Sequence, residues 1–168
     1  MTLSKVVKSA LSVAVVGILG LGMIPTPANA STATATFIVS TSIQATCLIS
    51  TTPLSFGTYT GLTLTSTSTV TVTCTNGTAY DVGLNAGTAT GATTTTRSMT
   101  GPGGALLSYE LDSDSARTIN WGNIVDTDTV EMTGTGLSQT ATVYGQVHAG
   151  QYFAPGIYSD TVTATVTY

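Results

Sequence analysis

Polar and apolar residues alternate along most of this chain with a period of two. Near the C-terminus Tyr158, Val162, Ala164, Val166 and Tyr168 share one parity, and Ser159, Thr161, Thr163, Thr165 and Thr167 share the other. Successive side chains of a strand point to opposite faces, so this pattern predicts a strand with one buried face. The same alternation recurs upstream. Ala33, Ala35, Phe37, Val39, Ile43, Ala45 and Cys47 oppose Thr32, Thr34, Thr36, Ser40, Ser42, Gln44 and Thr46. Val70 and Val72 alternate with threonines. Tyr80, Val82 and Leu84, then Leu107, Tyr109 and Leu111, then Ala141, Val143, Gly145 and Val147, repeat the signature. Turn signals separate these segments. Asn76-Gly77 is predicted to close a tight hairpin, since both residues accept positive φ. Gly101-Pro102-Gly103-Gly104 and Ala154-Pro155-Gly156 mark further turns, and 86–96 reads as a mobile loop. Beyond the first thirty residues no segment has a helical period. Several short strands at this spacing predict an all-β, immunoglobulin-like antiparallel β-sandwich.

The N-terminus departs from this pattern. Lys5 and Lys8 form a short positive region, and the stretch from Val6 to Ile24 is otherwise almost unbroken apolar sequence, followed by Pro25, Pro27 and Ala28-Asn29-Ala30. Charge, apolar run and a small-residue cut read as a secretory signal peptide over 1–30. A transmembrane anchor is the competing reading, opposed by the short apolar core and the prolines after it. A type IV pilin would retain such a helix; here its loss is expected.

Cleavage after Ala30 would leave Arg97 and Arg117 as the only arginine or lysine cations against eight acids, a formal charge of −6. That balance excludes the basic patches that bind nucleic acid or anionic lipid. Residues 31–168 suit one domain. Threonine accounts for 35 of them. Low-complexity tracts of this kind can be disordered, but here Thr alternates with apolar residues, and β-branched side chains suit a pleated, half-buried surface.

Cys47 and Cys74 form an even count in an exported chain, which predicts a disulfide. On the chain-entropy model it contributes roughly 3–4 kcal/mol. No catalytic constellation emerges. His148 is the only histidine and lies on the polar parity of its strand, so it reads as a surface residue. Asp112/Asp114 and Asp126/Asp128 invite a calcium site, but neither pair continues into an EF-hand loop. Glu110 and Asp112 on one strand lie about 7 Å apart with no sign of a pocket. Asn76-Gly77-Thr78 fits a glycosylation sequon that the turn explains equally well. The reading is therefore no catalytic residue, no metal and no cofactor.

Longer motifs carry a resemblance. Phe56-Gly57-Thr58-Tyr59, Val72-Thr73-Cys74 through Asn85-Ala86-Gly87, Arg97-Ser98-Met99 and Leu107-Ser108-Tyr109-Glu110-Leu111 are four of them. Asp114 through Thr118, Trp121-Gly122, Val143-Tyr144-Gly145-Gln146-Val147 and Gly156 through Val162 complete the set. Together they resemble the spore coat protein U domain over essentially all of 31–168.

The resemblance implies a pilin-type immunoglobulin-like fold that lacks its last strand, in a subunit of an archaic chaperone–usher pilus. A periplasmic chaperone would fill the open groove. At an outer-membrane usher, the N-terminal extension of the next identical or homologous subunit would replace it. Attachment and biofilm formation at the cell surface are the implied roles. Arg117 and Trp121 are expected to be structural, as a paired cation and a buried aromatic.

The sixteen residues from Ser31 to Thr46 exceed what one strand needs. Read alone, they are either one long strand with a frayed end or two strands in series. The resemblance favours the second: a donor at 31–40, carrying Ala33, Ala35, Phe37 and Val39, then a domain over 41–168 whose first strand covers 41–50. It also implies that the chaperone grips Val162, Ala164, Val166 and Tyr168. A spore- or cell-surface coat component and a monomeric surface-binding adhesin module are the alternatives. A sortase-type pilin is disfavoured, since no lysine follows the signal.

Overall fold

A computed structural model describes residues 30–168. The expected signal peptide lies, but for Ala30, outside the described residues. Thr41–Tyr168 forms one compact unit. Its strands are β1 (Cys47–Thr51), β2 (Leu64–Cys74), β3 (Ala79–Leu84), β4 (Arg97–Thr100), β5 (Leu106–Asp112), β6 (Val130–Thr133), β7 (Ser138–Val147) and β8 (Ala164–Thr167). They build two antiparallel sheets, one in the order β1-β2-β7-β5-β4, the other β6-β3-β8. The chain is thus the all-β, immunoglobulin-like antiparallel sandwich that its alternation predicts.

The inward parities are the expected ones. Val70, Val72, Tyr80, Val82, Leu84, Leu107, Tyr109, Leu111, Val143 and Val147 are all buried. Burying each large aliphatic side chain contributes roughly 1.5–3 kcal/mol. Trp121, on the irregular segment after β5, closes this core and is wholly buried. Its indole N–H donates to the Val82 carbonyl at 2.7 Å, so its polar edge enters the core satisfied. Cys47 and Cys74 face each other in the β1–β2 register and are joined, with Sγ–Sγ 2.01 Å.

Four expectations need correction. Asn76-Gly77 does not close a hairpin, because β2 ends in one sheet and β3 begins in the other. The turn, with Gly77 at φ +81°, carries the chain across the sandwich. Gly77 N–H donates to Gly134 O at 2.8 Å rather than completing a ladder between β2 and β3. The second correction concerns 41–50, where only Cys47–Thr51 is strand. A strand exists only where a neighbour supplies a ladder. The β1–β2 ladder stops at Cys74, where β2 turns away, so residues before Cys47 face no partner strand. Thr46 is tied through Thr75 N–H to its carbonyl at 2.9 Å, and Gln44 only through the Thr75 hydroxyl to its carbonyl at 3.4 Å. No strand is formed over 31–40 either.

The third correction concerns the C-terminal segment. Alternating burial runs from Tyr158 to Thr167 as expected, but ladder pairing is confined to β8 and a bridge at Ser159 to Thr100. The fourth is Arg117, which is not ion-paired. Its guanidinium lies 5.8 Å from the Tyr144 ring centroid and donates to Gly145 O. Among the described residues the sole salt bridge joins His148 to Glu110 at 3.0 Å.

Candidate functional site

β1 and β8 approach each other, but beyond the end of β1 and before the start of β8 the sandwich stays open. Beyond Thr52, whose N–H still donates to Thr69 O at 3.0 Å, the chain runs from Pro53 to Tyr59 with no strand partner, and before β8 it runs through 151–163. These two stretches are the walls of an apolar cleft. Its narrower part, about 390 Å³, lies between Thr51–Leu54 and Asp160–Val162, over a floor of Val70, Leu84, Tyr109, Leu111 and Val143. Its wider part, about 650 Å³, lies between Leu54–Gly61 and Gln151–Tyr158, over Leu64, Leu107 and Val147. Leu54, Phe56 and Met99 line both.

Local sequence explains why the walls sit where they do. Leu54 and Phe56 lie over β7 at Gly145, where a Cβ would meet each of them at 2.9 Å. Gly145 occupies an inward position of its strand, so glycine there makes room for the wall. Tyr59 fixes the wide end: its hydroxyl donates to His148 O at 2.8 Å and accepts from Gln151 N–H at 3.0 Å. On the opposite wall Tyr158 packs over Gly101, where no side chain would fit.

Both walls offer free backbone. Among the described residues, the N–H groups of 54–59 reach no backbone acceptor. The edge of β8 is equally open. Asn85 N–H donates to Thr163 O at 3.1 Å, and Leu84 faces Ala164 in register. Bonded and non-bonded pairs alternate in an antiparallel ladder, so the backbone groups of Ala164 and Val166 point away from β3. No strand pairs with β8 on that side. The side chains of Val162, Ala164 and Val166 pack against the core, whereas Tyr168 is exposed.

Polar groups brace this opening. The Asp160 carboxylate, on the narrow wall, accepts from Thr88 N–H at 2.7 Å, Thr88 Oγ1 at 2.8 Å and the Tyr109 hydroxyl at 2.7 Å. Burial alone would raise its pKa, but these donors and the Thr161 N–H together hold it below the ordinary carboxylate value. One end of the 86–96 loop is thereby pinned to the cleft wall. Burial, reinforced by the Asp160 hydrogen bond, pushes the Tyr109 hydroxyl well above its ordinary value.

Arg97 lies beneath, with no exposed surface. Its guanidinium donates to the carbonyls of Leu84, Asn85, Thr94 and Trp121 at 2.6–2.9 Å. Burial lowers its pKa, countered by Tyr109 and by Asp112, Asp128 and Asp160. The residue ties β4 to the end of β3 and to the Trp121 segment. Asp112 is buried near it with Oδ2 unpartnered.

The other singled-out side chains have local roles. Asp114 accepts from Thr118 and Ile119 N–H, and Asp128 from Ile124 N–H, so each carboxylate closes its own loop. His148 is half-exposed against Glu110. Among the expected donor residues, Phe37 is 86% and Val39 83% exposed, and Ala33 and Ala35 are exposed as well. Ile38, on the opposite parity, is exposed too. Sequence reasoning passed over Asp160, Gly145 and the bracing role of Arg97.

Fold and cleft together define an immunoglobulin-like β-sandwich with one edge left unpaired. The model described as the Spore Coat Protein U domain matches residues 33–165, and the chain belongs to that family. Protein U of Myxococcus xanthus is 45% identical over 62 residues, covering 37% of this chain and 34% of that protein. The chain thus matches only about a third of that relative's length. One chain in the crystal structure of the CsuC-CsuE chaperone-tip adhesion subunit pre-assembly complex, from archaic chaperone-usher Csu pili of Acinetobacter baumannii, shares the fold. The TM-score is 0.56 at 23% identity, over 75% of this chain and 40% of that one.

Proposed function

We propose that this chain is a non-enzymatic structural subunit of a surface fibre, assembled by exchange of β-strands between subunits. The observation that carries the reading is the cleft: apolar within, with unpaired backbone on both walls. An added strand gains a full ladder of hydrogen bonds, and its alternate side chains fill the space between the sheets. Residues 31–40 have the matching pattern, with Ala33, Ala35, Phe37 and Val39 on one parity, and the compact unit begins just after them at Thr41. A donor from a neighbouring copy makes a homopolymer. Before assembly a periplasmic chaperone covers the cleft and grips Val162, Ala164 and Val166, and an outer-membrane usher mediates the exchange. The route is secretion through the periplasm to the cell surface, and the roles are adhesion and biofilm formation. The likeness in fold to a pilus pre-assembly complex supports this reading.

Changing Phe37→Arg puts an unpaired charge into an apolar cleft, which costs several kcal/mol. Fibres should then be absent by electron microscopy while the disulfide-closed domain is still exported. Moving 31–40 behind Tyr168 on a flexible linker should give a stable, self-completed monomer. Polymerisation that survives deletion of 31–40, or a relinked chain that still polymerises, overturns the reading.

A further inference from the structure

The disulfide stands where the donor segment joins the domain. After Ser40 the chain runs through 41–46 outside any strand and meets its first ladder at Cys47. Cys47 is the first residue of β1, and Cys74, its partner in register, is the last residue of β2. Hydrogen bonds mark the same junction. Thr75 N–H donates to Thr46 O at 2.9 Å, and Thr46 N–H donates to Thr75 Oγ1 at 3.1 Å. We infer that this junction is a tension anchor: pull on a donor segment passes from Cys47 through the disulfide to β2, and so bypasses the cleft wall of the same subunit. The inference rests on the strand-exchange reading above.

Chain order is what makes such an anchor useful. In a strand-exchanged fibre each subunit is pulled at two places: at 41–46, which continue from its own donor, and at the cleft, which holds the next donor. β1 is an edge strand of five residues, with its only ladder on β2. Just beyond Thr52 the same backbone becomes the cleft wall, where Leu54 and Phe56 are seated over Gly145. Without a cross-link, the backbone path from the pulled end to that wall runs through β1. Tension that strips β1 from β2 reaches the wall next, and the wall then releases the donor it holds. Pull at one joint would thus open its neighbour.

The disulfide interrupts that path at its first residue. β1 and the 53–59 wall both lie inside the covalent loop from Cys47 to Cys74, a sequence separation of 27. Tension delivered at Cys74 enters β2, an inner strand of its sheet, which pairs with β7 from Leu64 to Thr73. That ladder has ten register pairs against five for β1 on β2. Cys74 is also 1% exposed and packs in the core, so the anchor is seated in the interior rather than on a loop. The Thr46–Thr75 hydrogen bonds at the junction are solvent-exposed, and water can replace them. The covalent bond has no such competitor.

The test uses assembled fibres of the full chain, so folding and export are complete before the bond is opened. Fibres are reduced, the reductant is removed without air, and surface-held fibres are kept either under flow or slack. Iodoacetamide labels the thiols, and peptide mass spectrometry reads Cys74. In reduced fibres Cys74 should label several-fold faster under flow than slack, because tension lifts β1 from it. Forced rupture is governed by an unfolding rate, so reduced fibres under flow should break several-fold sooner than oxidised ones, while slack reduced fibres keep their length. Fibres carrying Cys47→Ser with Cys74→Ser need no reductant and should break under flow as the reduced fibres do. Equal labelling of Cys74 under flow and slack, or equal lifetimes of wild-type and cysteine-free fibres under flow, overturns the anchor and leaves strand exchange standing. Slack fibres that fall apart on reduction also overturn it, and assign the bond to the stability of the fold. Wild-type chain that forms no fibre, or forms it without residues 31–40, overturns both readings.

Discussion

Arg97 is a sharp place to test how the sandwich holds its open side. The side chain has no exposed surface and makes four hydrogen bonds to main-chain carbonyls. Arg97→Met keeps a long apolar stem and removes every donor. The carbonyls of Leu84 and Trp121 are then buried without a partner, and those of Asn85 and Thr94 are partly so. A stranded buried acceptor costs about 1–3 kcal/mol. Part of the sum is offset because the guanidinium no longer has to be stripped of water, so the expected net loss is about 3–5 kcal/mol. Against a typical domain stability of about 5–15 kcal/mol that is a large fraction. Urea denaturation of the oxidised protein, followed by Trp121 fluorescence, is the assay. With a urea slope of about 2 kcal/mol/M, the midpoint should fall by about 2 M with the slope unchanged. Arg97→Lys should lie between, since an ammonium has three donors and no planar fork to reach four separated carbonyls. A loss below about 1 kcal/mol for Arg97→Met would refute the bracing role. Equal losses for Met and Lys would assign it to packing volume instead.

Two further expectations follow from neighbouring groups. Burial, then the charges of Glu110 and Asp114, raise the Asp112 carboxyl above its ordinary pKa, and Arg117 and Arg97 only partly oppose them. A carboxyl whose folded pKa is raised contributes stability below its unfolded pKa and loses it as pH rises through the folded value. Asp112→Asn should therefore raise the melting temperature at pH 7, by roughly 1 kcal/mol in stability terms, and the gain should vanish near pH 3; a gain independent of pH would sink the reasoning. Separately, intact mass before and after reduction with alkylation should show no free thiol in unreduced secreted protein and two after reduction. Two thiols alkylated without reductant would remove the Cys47–Cys74 bond.

The parts of this fold that were legible in the sequence are those governed by parity alone. Val70 and Val72 on β2, Leu107, Tyr109 and Leu111 on β5, and Val143 and Val147 on β7 each sit between two neighbouring strands, so a period-two pattern maps directly onto burial. Parity carries no information about which strand lies alongside. Asn76-Gly77 has the composition of a hairpin turn, yet it crosses between sheets because β2 already has β1 and β7 as neighbours. The same limit applies before Cys47, where the alternation continues but the partner strand ends. Arg97 was opaque for a different reason. A lone arginine at the start of a polar-looking segment reads as solvated, and its partners are carbonyl oxygens, which every residue has and no sequence pattern marks. Gly145 left a faint signal: a glycine on the inward parity of a strand is a position where something else approaches closely.

These details bear on why the cleft stays open rather than collapsing. An unpaired sheet edge invites uncontrolled association unless it is kept short or polar. Here β8 is four residues long, and its outward threonines are exposed. Closing the cleft would require the 53–59 wall to move onto β8. Leu54 and Phe56 are seated over Gly145, and Tyr59 is held at both its hydroxyl contacts. On the other side Asp160 is bound to Thr88 and Tyr109, and Arg97 fixes the carbonyls at the end of β3 behind it. Hydrogen bonds join the two walls at the wide end, where Gln151 N–H donates to the Tyr59 hydroxyl at 3.0 Å and Gly150 N–H to Gly61 O at 3.0 Å. The walls are thus tied together at the wide end and anchored to their own sides elsewhere, so the space between them keeps its apolar lining and its unused backbone.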